Sequence, residues 1–222
     1  MVFYNHQKDQ PCRWRRRKDA RPEEILDAAL SLFTEKGFAA TRMNDVAKLA
    51  GISKGTLYLY FESKEAIFYE VIHEMVTPKI ARIEQLAEQH EGPMIELLTL
   101  LIMTWWNQVA KTKLSAIPKL MVSECGNFPE LGEFFVETVV KRARGVFVRV
   151  IRQGVEQNEF IRQDPETLAR LVMAPIVQGT IWSHSLKQFD DDQDMDEYMA
   201  MHIQLIQKSL VKHKGCEYED AD

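Results

Sequence analysis

The chain has 222 residues, 45% hydrophobic and 27% charged, the balance of a water-soluble globular protein with enough apolar side chain to fill a core. No apolar run approaches the ~18 residues of a membrane span; the richest, Met94 to Met103, is interrupted by Glu96. The net charge of −5 speaks against nucleic acid for the chain as a whole, but residues 1–65 carry 12 Lys and Arg against 9 Asp and Glu, and the remainder 16 against 24, so an anionic partner is expected for the first segment alone.

No charged-then-apolar leader opens the sequence, and a cytoplasmic location without membrane contact is expected. Cys12, Cys125 and Cys216 are scattered and odd in number, which fits neither a disulfide framework nor a zinc site; Cys125 is expected to be buried. Residues 1–20 lack periodicity and place six basic residues between Arg13 and Arg21, a basic arm that could lie along a DNA backbone. Helix is expected from Pro22, a residue suited to a first turn, with Glu23 and Glu24 complementing the helix dipole. Ile25, Ala28, Ala29, Leu32 and Phe33 follow helical spacing, and Gly37 ends the helix in a left-handed cap. A second helix starts at Thr41 or Arg42, carries Met43, Val46, Ala47, Leu49 and Ala50 as its apolar face, and stops at Gly51. A third begins at Ser53 and a fourth at Ser63, both good N-caps. Only "AGIS" separates helices 2 and 3, which forces the steep crossing of a helix-turn-helix. Ala47 is small at the crossing and Leu57 plugs the angle.

On a helical wheel over residues 54–61, Leu57 and Phe61 mark the core side. Leu59 points the opposite way with Gly55 and Thr56 beside it, and Tyr58 and Tyr60 flank the core stripe. This pattern suits a helix laid in a groove. Gly55 permits close approach, Thr56 can meet a base edge or a thymine methyl, and the tyrosine hydroxyls can reach phosphates. Lys54 and Lys64 add positive charge at either end, and the amide-rich start of helix 4 can hold a further phosphate.

"TRMNDVAKLAGISKGTLYLYFESKEAIF", Thr41 to Phe68, resembles the DNA-binding signature of the TetR/AcrR family of bacterial regulators. The resemblance implies an all-α dimer with an N-terminal three-helix helix-turn-helix DNA-binding domain, a linking helix 4, and a larger helical domain that binds an inducer and dimerises. Carried over by position, the groove-facing residues are Arg42, Asn44, Lys54, Gly55, Thr56, Tyr58, Leu59, Tyr60 and Lys64. Many relatives have a capping threonine where Arg42 stands, so here Thr41 caps helix 2 or the cap is weaker. The boundaries implied are a basic arm over 1–20, the DNA-binding domain over 21–66, the ligand-binding and dimerisation domain over 67–213, and an acidic tail over 214–222. Double-stranded operator DNA, a second copy of the chain and an unidentified small inducer are the expected partners. Repressor and activator are not distinguished by sequence, nor is an inducible regulator distinguished from a constitutive one.

From Ser63 to Lys212 the chain reads as helical, with breaks at Pro78, at 90–93, near Pro118, at 125–130, at 157–166 and at 189–197. "GNFPELGEFFVETVV…IVQGTIW", Gly126 to Trp182, resembles the regulatory domain of a broad group in the same family. Residues 168–182 are apolar nearly all round, so both sides of that helix need cover, and Pro175 should kink it. A last helix over about 195–211 completes a two-helix face expected to pair with a second subunit as a four-helix bundle. Its interface residues are Leu171, Ile176, Gly179, Trp182, Tyr198, His202 and Leu205. Met103, Trp105, Trp106 and Met121, with Phe134, Phe135, Phe147 and Trp182, are bulky or adaptable side chains of the kind that line an apolar pocket; Glu124 or His184 is a candidate polar group beside it. Pro78 is a place where helix 4 can bend during induction. The six histidines have no partner at metal-ligand or triad spacing, and the aspartates of 190–196 lack the glycine and closing glutamate of a calcium loop. No enzyme activity, metal or cofactor is expected.

Overall fold

The computed structural model describes residues 22–189 and 194–212. The basic arm, the acidic tail, Cys12, Cys216 and part of the aspartate-rich connector lie outside them. Among the described residues the architecture is all-α. The one strand-like feature is an isolated bridge between Phe160 and Val211. No described helix is long and apolar enough to cross a membrane.

Four short helices follow from their caps. α1 (Pro22–Lys36) ends as expected: Gly37 has φ +85° and its N–H donates to Phe33 O at 3.1 Å. α2 (Met43–Leu49) starts without a side-chain cap, because Arg42 at the cap position makes no such bond. Thr41 does not cap it either; its hydroxyl donates backwards to Gly37 O at 2.8 Å and Leu32 O at 3.2 Å, which ties α1 to the turn. α3 (Lys54–Tyr60) and α4 (Lys64–Val71) are capped by Ser53, which accepts from Thr56 N, and Ser63, which accepts from Ala66 N. Leu57 is fully buried between α2 and α3, and Ala47 is buried beside it. Leu49, placed by periodicity on the apolar face of α2, is instead 55% exposed at its last turn.

The rest of the chain is a helical body. A π-helical turn over Ile72–Val76 carries α4 directly into α5 (Thr77–Gln89). The break expected at Pro78 does not occur. A proline inside a helix clashes with the carbonyl four residues back, but the widened turn leaves Pro78 in the first turn of α5. α6 (Met94–Trp105) runs into a second π turn, Trp106–Ala110, and a 3-10 turn, Lys113–Ala116, leads into α7 (Ile117–Glu124). α8 (Pro129–Phe135) passes through a third π turn, Val136–Lys141, into α9 (Arg142–Glu156). α10 (Pro165–Ser183) is continuous through Pro175, and α11 (Met195–Leu210) closes the bundle.

Two apolar cores result. One runs from α1–α4 through α7 and α8, and is centred on Phe33, Phe38 and Phe68. The other is built by α6, α9, α10 and α11 around Phe147, Ile151 and Ile176. Trp105 packs against both. The start of α6 is held by the Glu159 carboxylate, which accepts from Met94 N at 2.6 Å and Ile95 N at 2.7 Å. Carboxylates are favoured where a helix leaves its first amides unpaired. Next to it, Ile161 N donates to Leu210 O and Lys212 N to Glu159 O, so the end of α11 is stitched to the α9–α10 loop. Arg142 and Glu84 make two bonds of 2.6 Å between α9 and α5.

Two histidines bond across the body. His202 on α11 reaches Val172 O at 2.8 Å, and burial pushes it below the ordinary value of 6.5 against the opposing pull of that bond. His184 bonds Ser115 Oγ at 2.7 Å; burial and then nearby Lys119 push it down as well. The Ser115 hydroxyl is spent on Thr112 O at 2.6 Å, so His184 Nε2–H is the donor. A lowered histidine takes up its proton later in the folded chain than in the unfolded one. Its contribution is therefore whole above about pH 6.5 and is lost as pH falls through the folded value. Urea midpoints should fall as pH drops from about 7 towards 5, ahead of carboxylate titration. The double variant His184→Gln, His202→Gln should flatten that slope; an equally steep slope would acquit both residues.

Candidate nucleic-acid interface

α3 presents the face expected from the wheel. Leu57 is fully buried and Leu59 is 85% exposed on the opposite side, with Tyr58 and Tyr60 each 46% exposed. Lys54 Nζ lies 5.7 Å from the Tyr58 ring centroid, within cation–π range, which holds the two side chains on one side of the helix. Thr56 is half-buried, and its hydroxyl pairs with Ser53 Oγ at 2.8 Å. Gly55 is exposed, and a Cβ there would meet nothing nearer than Ser53 Oγ at 3.8 Å. The interior of the protein therefore does not require glycine at this position. Arg42 and Asn44 are exposed at the start of α2. Without a capping bond to make, the Arg42 side chain is left to solvent.

Lys64 sits differently from the sequence expectation. Its ammonium donates to Phe38 O at 2.7 Å and Ala39 O at 3.1 Å, and lies 4.5 Å from the centroid of the Phe38 ring. Two of its three donors thus hold the α1–α2 turn, and Lys64 braces the reading face from behind. Lys48 and Leu49 are exposed at the end of α2.

The residues expected to line a ligand pocket do not converge. Met121 is buried in the first core, with Phe134 and Phe135 packed against it, whereas Trp106 and Phe147 are buried in the second. Trp106 spends its indole N–H on Asp196 Oδ1 at 2.9 Å. Hydrogen bonds from Lys111 and then Trp106 hold the Asp196 carboxyl below its ordinary range. Met103 is partly exposed. Trp182 instead lines an open concavity of about 440 Å³ along α10, with Ala174, Val177, Gln178, Ile181 and Leu186. Cys125 is exposed, not buried. The reason is the helical step of about 100°: Glu124, one position earlier, is turned inwards.

The residues expected at a subunit interface also divide. Leu171 and Leu205 are 63% and 59% exposed on neighbouring helices. Ile176 and Gly179 are buried within the protomer. A Cβ on Gly179 would come within 2.8 Å of Met195 Cε, the flexible end of a side chain on α11. Tyr198 and His202 are half-buried, and both bond back to α10, at Gln178 Oε1 and Val172 O.

Residues 25–71 match the family described as "Bacterial regulatory proteins, tetR family". Residues 96–206 match the "AefR-like transcriptional repressor, C-terminal domain". The HTH-type transcriptional repressor KstR2 of Mycolicibacterium smegmatis is 30% identical over 142 residues, which is 64% of this chain and 68% of that protein. Among solved structures, the TetR family transcriptional regulator PfmR from Thermus thermophilus superposes with a TM-score of 0.67 at 27% identity, over 85% of this chain and 99% of the other. FadR from Bacillus subtilis, solved in complex with stearoyl-CoA, superposes with a TM-score of 0.68 at 22% identity, over 84% and 97%. An exposed α3 face set on a helical body, together with matches that span both halves, places the chain in the TetR family of bacterial transcriptional regulators.

Proposed function

We propose that the protein is a repressor that binds a palindromic operator as a homodimer and is released by a small, largely apolar inducer. The observation that carries this reading is the outer face of α3. Gly55, Leu59 and the paired tyrosines stand clear of the core, and Lys54, Arg42 and Asn44 are exposed on the same reading head. Such a helix fits the major groove, and a two-fold pair of heads reads two half-sites about one helical turn apart, on the order of 34 Å. The exposed apolar residues of α10 and α11 support pairing of two chains. For the inducer, the support is chemical and comparative. The body is rich in Met, Phe and Trp, and the FadR relative was solved with stearoyl-CoA, a ligand with an apolar acyl chain on a charged CoA head. Release then requires that the inducer favour a head arrangement different from the one that fits DNA. Inducer and operator must weaken one another by the same factor.

In vitro selection from random duplex DNA tests the reading, and a two-fold symmetric consensus is expected. Thr56→Ala should relax preference at one base pair per half-site, costing about 1–3 kcal/mol there, with little change at other positions. Recovery of no sequence preference by the wild-type chain would sink the proposal.

A further inference from the structure

The turn between α1 and α2 is gripped from two sides. Phe38 N donates to Glu124 Oε1 at 2.9 Å, and Ala39 N donates to the same oxygen at 3.4 Å. The two carbonyls of the same residues accept from Lys64. The amides of both residues are therefore engaged by α7 of the body and their carbonyls by α4. Glu124 is 8% exposed, and its Oε1 comes within 2.9 Å of where a Cβ on Gly37 would stand. The Phe38 ring is fully buried and meets Phe128, just beyond α7, at 4.9 Å in an edge-on contact.

A carboxylate taken out of water needs strong compensation, and hydrogen bonds to a charged acceptor are about twice as strong as neutral ones. Glu124 finds that compensation in backbone amides of the DNA-reading head, 85 and 86 positions away in sequence. α7 in turn packs on α10 and on the 3-10 turn that precedes it. A shift in that half of the body can reach the α1–α2 turn through the Glu124 carboxylate, alongside the apolar core that the head shares with α7 and α8.

The geometry points to Glu124 as a positioning residue by which the body fixes the orientation of the DNA-reading head. The helices of the head bury Leu57, Phe33 and Phe68 in an apolar core of their own side chains. Glu124 sets where the head points. This inference rests on the dimeric operator reading above, because orientation matters most when two heads must match two half-sites at once.

The test uses the full-length chain and compares wild type, Glu124→Gln and Glu124→Ala. Glutamine keeps a carbonyl oxygen as acceptor and leaves folding intact, so it should fall between the other two. In Glu124→Ala, amide exchange at Phe38 and Ala39 should rise at least about tenfold while amides of α3 are unchanged. On operators recovered by selection with the wild type, spacers altered by one or two base pairs should cost wild type at least about tenfold in affinity. The same spacers should cost Glu124→Ala less than about threefold, since each added pair rotates one half-site against the other. Purely structural support would lower the melting temperature without altering the spacer profile. Unchanged exchange at both amides would overturn the grip itself, and changed exchange with an unchanged spacer profile would overturn the positioning role. Failure to select any spaced palindrome would remove the functional reading, and the positioning role with it.

Discussion

Phe38→Ala should destabilise the chain by about 3–5 kcal/mol, the usual cost of emptying a buried phenylalanine site. For a chain of this size that corresponds to a fall in melting temperature of roughly 6–20 °C. The expectation is placed at the high end by what Phe38 touches. Its ring contacts Phe33 at 5.0 Å, Phe68 at 6.0 Å and Phe128 at 4.9 Å, with the Lys64 ammonium over its face. Removing the ring empties the junction between the reading head and α8, and leaves the ammonium without its aromatic partner. Phe38→Leu refills most of the volume and should recover more than half of the loss. Differential scanning calorimetry on the three proteins decides it. A shift below about 2 °C for Phe38→Ala would mean that the site collapses freely, and that the junction is looser than its packing indicates.

Leu171→Glu combined with Leu205→Glu should convert a dimer into a monomer and reduce operator affinity by about 10²–10⁴-fold. That range is the gain when a second binding event becomes intramolecular. Both leucines are already well exposed in the single protomer, so a charge at either place costs little within one chain. Opposed across a two-fold axis, four carboxylates would meet in the middle of an apolar surface, where unpaired charge is expensive. Sedimentation velocity should show the mass halved at micromolar concentration, with circular dichroism unchanged. Wild-type sedimentation in the double variant would move the interface off this face of α10 and α11. The buried pair Ile176 and Gly179 serves as contrast. Substitution there should disturb the fold before it disturbs association.

The reading head was legible because its determinants are local. Ser53 and Ser63 cap the helices that they precede, Gly37 and Gly51 take the positive φ values that end the helices before them, and Leu57 and Leu59 part company by wheel position alone. The body was less legible, for two physical reasons. First, an apolar residue on a helix says that it will be covered, not by what. Ile176 and Gly179 look like interface residues until α11 is in place, and Trp106 and Phe147 look like pocket lining until they fall into one core and Met121 into another. Second, each π turn adds one residue to a helical turn, which advances the downstream side chains by about 100°. No wheel drawn straight through Ile72–Val76, Trp106–Ala110 or Val136–Lys141 keeps its phase. Glu124 and Lys64 were singled out for other roles, and their bonds to the α1–α2 turn were missed for a third reason. Their partners are backbone atoms of a turn, 85 or 86 and 25 or 26 positions away, and backbone partners leave no trace in side-chain pattern.

The stitch between the α9–α10 loop and the end of α11 bears on how the molecule is made. Leu210 is buried, its carbonyl accepts from Ile161 N, and Lys212 N reaches back to Glu159, whose carboxylate holds the first amides of α6. The second core is therefore closed by almost the last described residues of the chain. A ribosome adding about 5–20 residues per second needs roughly 7–27 s to travel from residue 76 to residue 210. The Phe38 ring is made before Phe128, and the apolar side of α6 before α11. A nascent chain stalled before Leu210 would leave apolar surface of the second core uncovered.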